Sequence, residues 1–241
     1  MNNPNKQLTV LQLYPNEMNI YGDWGNVLTL LKRIEWHGYS PKLLQHHPGK
    51  EFPKNVDIVV GGGGQDSGQQ KVQNDLLAIS DDLHKLADDN TPMLMICGLY
   101  QLFGRLFKTS DDQIIQGIGI FKAETHAGPK RLIGNISTQT PFGTVVGYEN
   151  HSGLTYLDDP AQAFGTVIKG AGNNGNDKTE GAVYKSVYGS YLHGSLLPKN
   201  PTFADALIGM AAQHKFDDFE PMVIDDRFAE KARATALGRP R

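Results

Sequence analysis

The tightest constraint on this chain's fold lies in Thr91-Pro92-Met93-Leu94-Met95-Ile96-Cys97-Gly98-Leu99-Tyr100-Gln101-Leu102-Phe103-Gly104. An apolar run too short for an independent helix ends on Cys97, the only cysteine in the sequence. Directly beyond it, Leu99, Leu102, Phe103, Leu106 and Phe107 recur on one helical face. The stretch therefore predicts a strand, a sharp turn and a helix, with a thiol at the turn. A side chain lifted out of a sheet at such an elbow faces the unpaired N–H groups of the helix start, which favour a thiolate. Gly98 suits the tight turn, and its N–H, next after the thiol, is placed to hold an oxyanion. A lone cysteine is also a small buried hydrophobe, so the elbow alone leaves both meanings open.

The flanking sequence predicts the sheet around it. Leu8 to Tyr14 reads as a first strand, and the turn-rich loop from Pro15 to Asn26 leads into a helix marked by Val27, Leu30, Leu31 and Ile34. That loop, dense in Asn, Tyr, Asp and Trp, fits either a packed surface loop or a binding role. Tyr39 to Leu44 and Val56 to Val60 predict two further strands, the latter running into Gly61-Gly62-Gly63-Gly64-Gln65-Asp66. Glycines there let backbone amides approach a ligand, and with no Gly-Lys-Ser/Thr following, a nucleotide loop is disfavoured. Beside the thiol-bearing strand, this loop predicts a second oxyanion donor, with Gly62 and Gly63 as candidates. Gln69 to Asn90 reads as one helix.

After Gly104, short glycine-punctuated strands are expected near 117–121, 131–136, 143–148 and 164–168, with an exposed, mobile loop at 170–177. Two more strands end at His193-Gly194, and Asn200-Pro201 opens a helix. The expected class is α/β, three layers with a largely parallel central sheet, a nucleophile elbow and a β-rich second half. Residues 1–241 read as a single domain with a basic tail at about 227–241.

With 241 residues, 39% hydrophobic, and a net charge of −3, the chain can bury a full core and carries no general nucleic-acid footprint. Arg227, Lys231, Arg233, Arg239 and Arg241 cluster in the tail, which fits a solvated terminal helix or an anionic contact. One cysteine excludes an internal disulfide and fits a reducing compartment. Met1 to Gln7 lacks the apolar core of a signal peptide, so a cytoplasmic location is expected.

A cysteine nucleophile needs a base, and histidine is the usual one. His37, His46, His47, His84, His126 and His214 sit in surface-like polar settings or at helix ends, which leaves His151 and His193. His193 closes an apolar strand, and in a parallel sheet a strand end opens onto the same crevice as the elbow.

Cys97 with Gln101, the glycine loop one strand earlier and Tyr191-Leu192-His193-Gly194 resemble a class I glutamine amidotransferase domain. Gly147-Tyr148-Glu149-Asn150-His151-Ser152-Gly153 resembles the cobyric acid synthase branch of that class. Leu13-Tyr14-Pro15, Asn19 to Asn26, Gly61 to Asp66 and Tyr191 to Pro201 are similar to the stand-alone glutaminase subunits of lipid II isoglutaminyl synthases, a likeness spanning nearly the whole chain. The resemblance implies Cys97 as nucleophile on L-glutamine, His193 as general acid and base, and Gly98 with a loop glycine as oxyanion donors. It further implies that Gln101 helps seat the substrate. Arg131 is the candidate partner of the α-carboxylate of glutamine, or else an ordinary strand-edge charge.

No metal set is assigned and no cofactor is expected in this chain. ATP and Mg are expected on a Mur-ligase-like synthetase subunit, the heterodimer partner, with lipid II as acceptor. The pair would work at the inner membrane face. Two positions depart from the wider pattern. Leu99 stands where glycine is usual, and Ser195 stands where triad enzymes carry the glutamate that orients the histidine. The expectation is that the partner supplies the missing acid on docking. Rival readings are another acceptor, such as a corrinoid carboxylate, or a non-catalytic scaffold.

Overall fold

The computed structural model describes residues 6–240. Met1 to Asn5, read above for targeting, and Arg241 of the basic tail lie outside them. The first half builds β1 (Gln7–Leu13), α1 (Trp24–Trp36), β2 (Ser40–His46), β3 (Ile58–Gly61), α2 (Asp66–Ala78), α3 (Ser80–Asp88), β4 (Met93–Ile96) and α4 (Gly98–Phe103). The second half holds β5 (Leu106–Lys108), β6 (Ile114–Gln116), β7 (Ala123–Thr140), β8 (Gly143–Leu157), β9 (Gly165–Lys169), β10 (Thr179–Glu180), β11 (Ala182–Tyr184) and β12 (Val187–Ser190). It closes with α5 (Pro201–Phe216) and α6 (Arg227–Gly238).

The central sheet runs β11-β12-β4-β3-β1-β2, parallel throughout except for β11. Its inner strands are apolar on both faces, Met93–Ile96 and Ile58–Val60 being essentially inaccessible, as a sheet covered by helices requires. Register places Leu13, Gly61, Met95 and Gly189 at one level, so four adjacent strands end together at one edge. In an open α/β sheet that carboxyl edge is where ligands bind.

The second sheet, β10-β9-β7-β5-β6 with β8 on β7, is antiparallel apart from the β5–β7 pair. It reaches the first sheet through an isolated bridge in which His193 and Tyr148 exchange both backbone hydrogen bonds. Asn200 reinforces the joint, its side chain bonding both backbone groups of Val146 and the carbonyl of Leu196. An aromatic cluster of Phe142, Phe164, Tyr188 and Phe203 fills the space where the two sheets meet α5.

The mixed α/β fold with a parallel-rich sheet matches the sequence reading; several details do not. The helix expected over Gln69–Asn90 is two helices breaking at Ile79, because apolar spacing continues across the join. No strand forms at 117–121, and the strands read at 131–136 and 143–148 are parts of a long hairpin, β7 and β8. The first part of the 170–177 loop is packed, with Asn173 and Asn174 buried, while 175–177 are exposed: Glu149 accepts the N–H groups of Ala171 and Gly172, and the two asparagines bond Thr179, Gly181 and Thr155. His37 and His46 are buried against Asp205 and Asp75 rather than exposed. The basic tail forms α6 and is held to the body: Arg33 pairs with Asp226 and Asp205, and Arg233 donates to the carbonyl of Thr144. Among the described residues no helix is long and apolar enough to cross a membrane.

Candidate active site

Cys97 stands one residue beyond β4 with φ 49° and ψ −101°, a conformation that L residues rarely adopt. The neighbours impose it. Its own N–H donates to the carbonyl of Ser190 (2.8 Å), and the Leu99 N–H donates to that of Gly62 (3.3 Å). Gln69 donates to the Gly98 carbonyl (3.1 Å) and to Gln101 (2.8 Å), and Gln101 donates to the Tyr191 hydroxyl (3.1 Å). The thiol side chain, 7% exposed, lines a cavity of about 400 Å³.

His193 arrives three residues past the end of β12, and Asp23 ten past the end of β1. Nδ1 of the ring donates to Asp23 Oδ1 at 3.3 Å, and Asp23 Oδ2 accepts the Gly63 N–H at 2.7 Å. Nε2 has no fixed hydrogen-bond partner among the described residues, and the ring interacts with the Cys97 side chain. A Cβ built on Gly63 would fall 2.8 Å from His193 Cε1 and 3.2 Å from Cys97 Cβ, so the two reacting groups flank this one glycine. Burial works against a charged ring, but Cys97 and the Asp23 carboxylate outweigh it and raise His193 to about 10. The ring therefore holds both protons at neutral pH, and the edge of Tyr21 covers it at 5.1 Å between centroids.

Gly63→Ala is expected to lower turnover by about 10²-fold while the chain stays folded. The methyl group would push imidazole and thiol apart, which steady-state rates and a melting curve would reveal.

The glycine loop divides its tasks differently from the sequence expectation. Asp23 takes the N–H of Gly63, and the Gly62 carbonyl braces the elbow. The N–H groups of Gly64 and Gly98 have no acceptor among the described residues, and a Cβ on Gly98 would sit 2.8 Å from the Gly64 nitrogen. Gly64 and Gly98 thus form an adjacent free pair, Gly64 lying one residue beyond Gly63 on the loop. Two adjacent free amides beside a thiol suit an oxyanion.

Gln101 lines the cavity, yet both ends of its amide are bound inside the protein, so it holds the elbow in place. Arg131 also lines the cavity, with Nε and Nη2 fixed on Asn150. Asp23 was missed as a site residue; the loop dense in turn and aromatic residues was the available signal. His151, passed over above, is buried, stacks on Tyr191 at 3.5 Å and donates from Nδ1 to the Gly153 carbonyl. Burial pushes it down to about 3, so it is neutral and cannot replace His193 as the charged partner of the thiol. Among the described residues, no group of three or more His, Cys, Asp or Glu converges to hold a metal.

Two and three residues before His193, Tyr191 and Ser190 hold Glu180, which is completely buried; one oxygen accepts the Tyr191 N–H (2.8 Å) and the Ser190 hydroxyl (3.1 Å), while the other has no partner among the described residues. Burial, with the nearby Glu149, raises it to about 8. Because the folded carboxyl holds its proton where the unfolded one has lost it, this group's stabilising contribution declines as pH rises from about 4.5 to about 8. Glu180→Gln, neutral at every pH, is expected to remove that decline. Thermal midpoints from about pH 5 to about pH 9 should show wild type losing roughly 10 °C relative to the variant.

A thiol at the carboxyl edge of a parallel sheet, met by a histidine from a neighbouring strand, is an arrangement of the glutamine amidotransferase class. A solved glutamine amidotransferase shares the fold, covering 84% of this chain and 98% of its own at a TM-score of 0.59, with 13% identity. Residues 9–201 match the CobB/CobQ-like glutamine amidotransferase domain, and the chain belongs to that family. It is 36% identical to the lipid II isoglutaminyl synthase (glutamine-hydrolyzing) subunit GatD of Staphylococcus aureus, over 97% of this chain and 96% of that one. It is 35% identical to the subunit of the same name from Streptococcus pneumoniae, over 87% and 82%.

Proposed function

We propose that this chain is the glutaminase subunit of a two-component synthase: it hydrolyses L-glutamine to glutamate and delivers the ammonia to a separate ligase. The Cys97 thiolate attacks the side-chain carboxamide, and the Gly64 and Gly98 amides stabilise the tetrahedral oxyanion. His193 protonates the departing nitrogen, giving ammonia and a thioester, then takes a proton from water as glutamate is released. Arg131 pairs with the α-carboxylate. The observation that carries this reading is the Gly63 contact: thiol and imidazole flank one glycine, with Asp23 on the far side of the ring.

The acceptor comes from the relatives' names. The partner is a Mur-ligase-like subunit using ATP and Mg to activate the α-carboxylate of D-glutamate in the lipid II stem peptide, which ammonia converts to D-isoglutamine. The complex works at the inner face of the membrane. Amide-¹⁵N glutamine, supplied to the chain with candidate ligase, ATP and lipid II, is expected to label the stem peptide. A labelled corrinoid carboxylate instead would move the acceptor, and no glutamate release with or without ligase would leave only a scaffold.

A further inference from the structure

Apart from the reacting Cys97, two side chains lining the cavity carry a full charge: Arg131 and Asp66. The remaining polar lining is neutral, including Asn150, Ser152 and His151. Asp66 opens α2 directly after the glycine loop, and its carboxylate has no ion pair or hydrogen bond among the described residues. Arg131 keeps Nη1 free after binding Asn150. Away from the thiol, the cavity therefore presents one unpaired cation and one unpaired anion to whatever enters it.

Free glutamine has the complementary pattern. Its α-carbon bears a carboxylate and an ammonium, while its carboxamide carbon is the one that must reach the thiol. Carboxamides without the amine, or with it acylated, lack the positive group. We propose that Asp66 is the specificity residue that takes the α-ammonium of glutamine, with Arg131 holding the α-carboxylate, so that the cavity selects free α-amino acid amides. This rests on the glutaminase reading and on the Arg131 assignment. A charge-assisted bond is about twice as strong as one to a neutral acceptor, so no neutral lining residue replaces Asp66 equally. An acid in the first turn also favours its own helix, a role that would affect melting but not amine recognition.

The test uses the chain together with its ligase subunit and compares L-glutamine with 4-carbamoylbutanoate, which has the same skeleton without the amine. Wild type should prefer glutamine strongly. Asp66→Asn is expected to lower kcat/KM for glutamine about 30-fold, mainly through KM, and to leave the rate with 4-carbamoylbutanoate within about threefold. Asp66→Glu, which keeps the charge, should recover part of the preference. The proposal is overturned if Asp66→Asn keeps the wild-type preference, if both substrates lose equally, or if only the melting point moves. Wild type that releases no glutamate at all overturns the glutaminase reading itself, whereas active wild type with an unaltered preference in the variant overturns Asp66 alone.

Discussion

Cys97→Ala is expected to lower glutamate release by about 10⁴-fold or more, and Cys97→Gly to do the same while raising the melting temperature. The activity loss follows because no other side chain at the elbow can form the thioester. The stability gain follows from the backbone. At φ 49° and ψ −101°, Cys97 lies outside even the small left-handed region open to L residues. Such a conformation costs about 1–3 kcal/mol and persists only where the surroundings impose it. Here three backbone bonds do so: Cys97 to Ser190, Leu99 to Gly62 and Gln101 to Cys97. Glycine removes the steric penalty but adds freedom to the unfolded chain, which offsets roughly 0.5–1 kcal/mol. A net gain of about 1 kcal/mol corresponds to roughly 2–4 °C in a chain of this size. Alanine keeps the Cβ and hence the strain, so its melting point should stay near wild type. Calorimetry on the three proteins decides the point; a glycine variant melting below the alanine variant would refute stored strain at the elbow.

That elbow was readable from sequence because every signal bearing on it is local: an apolar tetrad, a cysteine, a glycine, then a helical start; the helical face was read too far, since α4 ends at Phe103 and Leu106 and Phe107 lie in β5. His193 was readable for a related reason, since a histidine closing an apolar strand lands on a predictable edge of a parallel sheet. Asp23 was not, because its contact with His193 spans 170 positions and depends on the strand order β12-β4-β3-β1. The engagement of the Gly63 N–H was hidden for the same cause, since it is Asp23 that takes it. Asn173 and Asn174 look like solvent-facing loop residues, yet they hydrogen-bond buried backbone and hydroxyl groups. Polarity in a sequence does not tell whether its partner is water or protein.

Asp23→Asn is expected to lower kcat by about 10²–10³-fold and to move the alkaline limb of activity acidward, from about 10 toward the ordinary histidine value. Losing the carboxylate removes a charge that holds the second proton on His193. The asparagine amide also cannot satisfy both the ring and the Gly63 N–H as one carboxylate does. Asp23→Ala should be worse for folding as well, by about 3–5 kcal/mol, because a buried partner would be left unpaired. The asparagine variant therefore provides the kinetic readout. Measured in the complex, it also decides whether a docked ligase subunit supplies the orienting acid, as the serine at position 195 suggests. His193 and Asp23 are 1% and 3% exposed, and Nδ1 already faces Asp23, so an incoming carboxylate has no open route to that nitrogen. The loss should persist with the ligase bound; full activity of Asp23→Asn in the complex would return the acid to the partner.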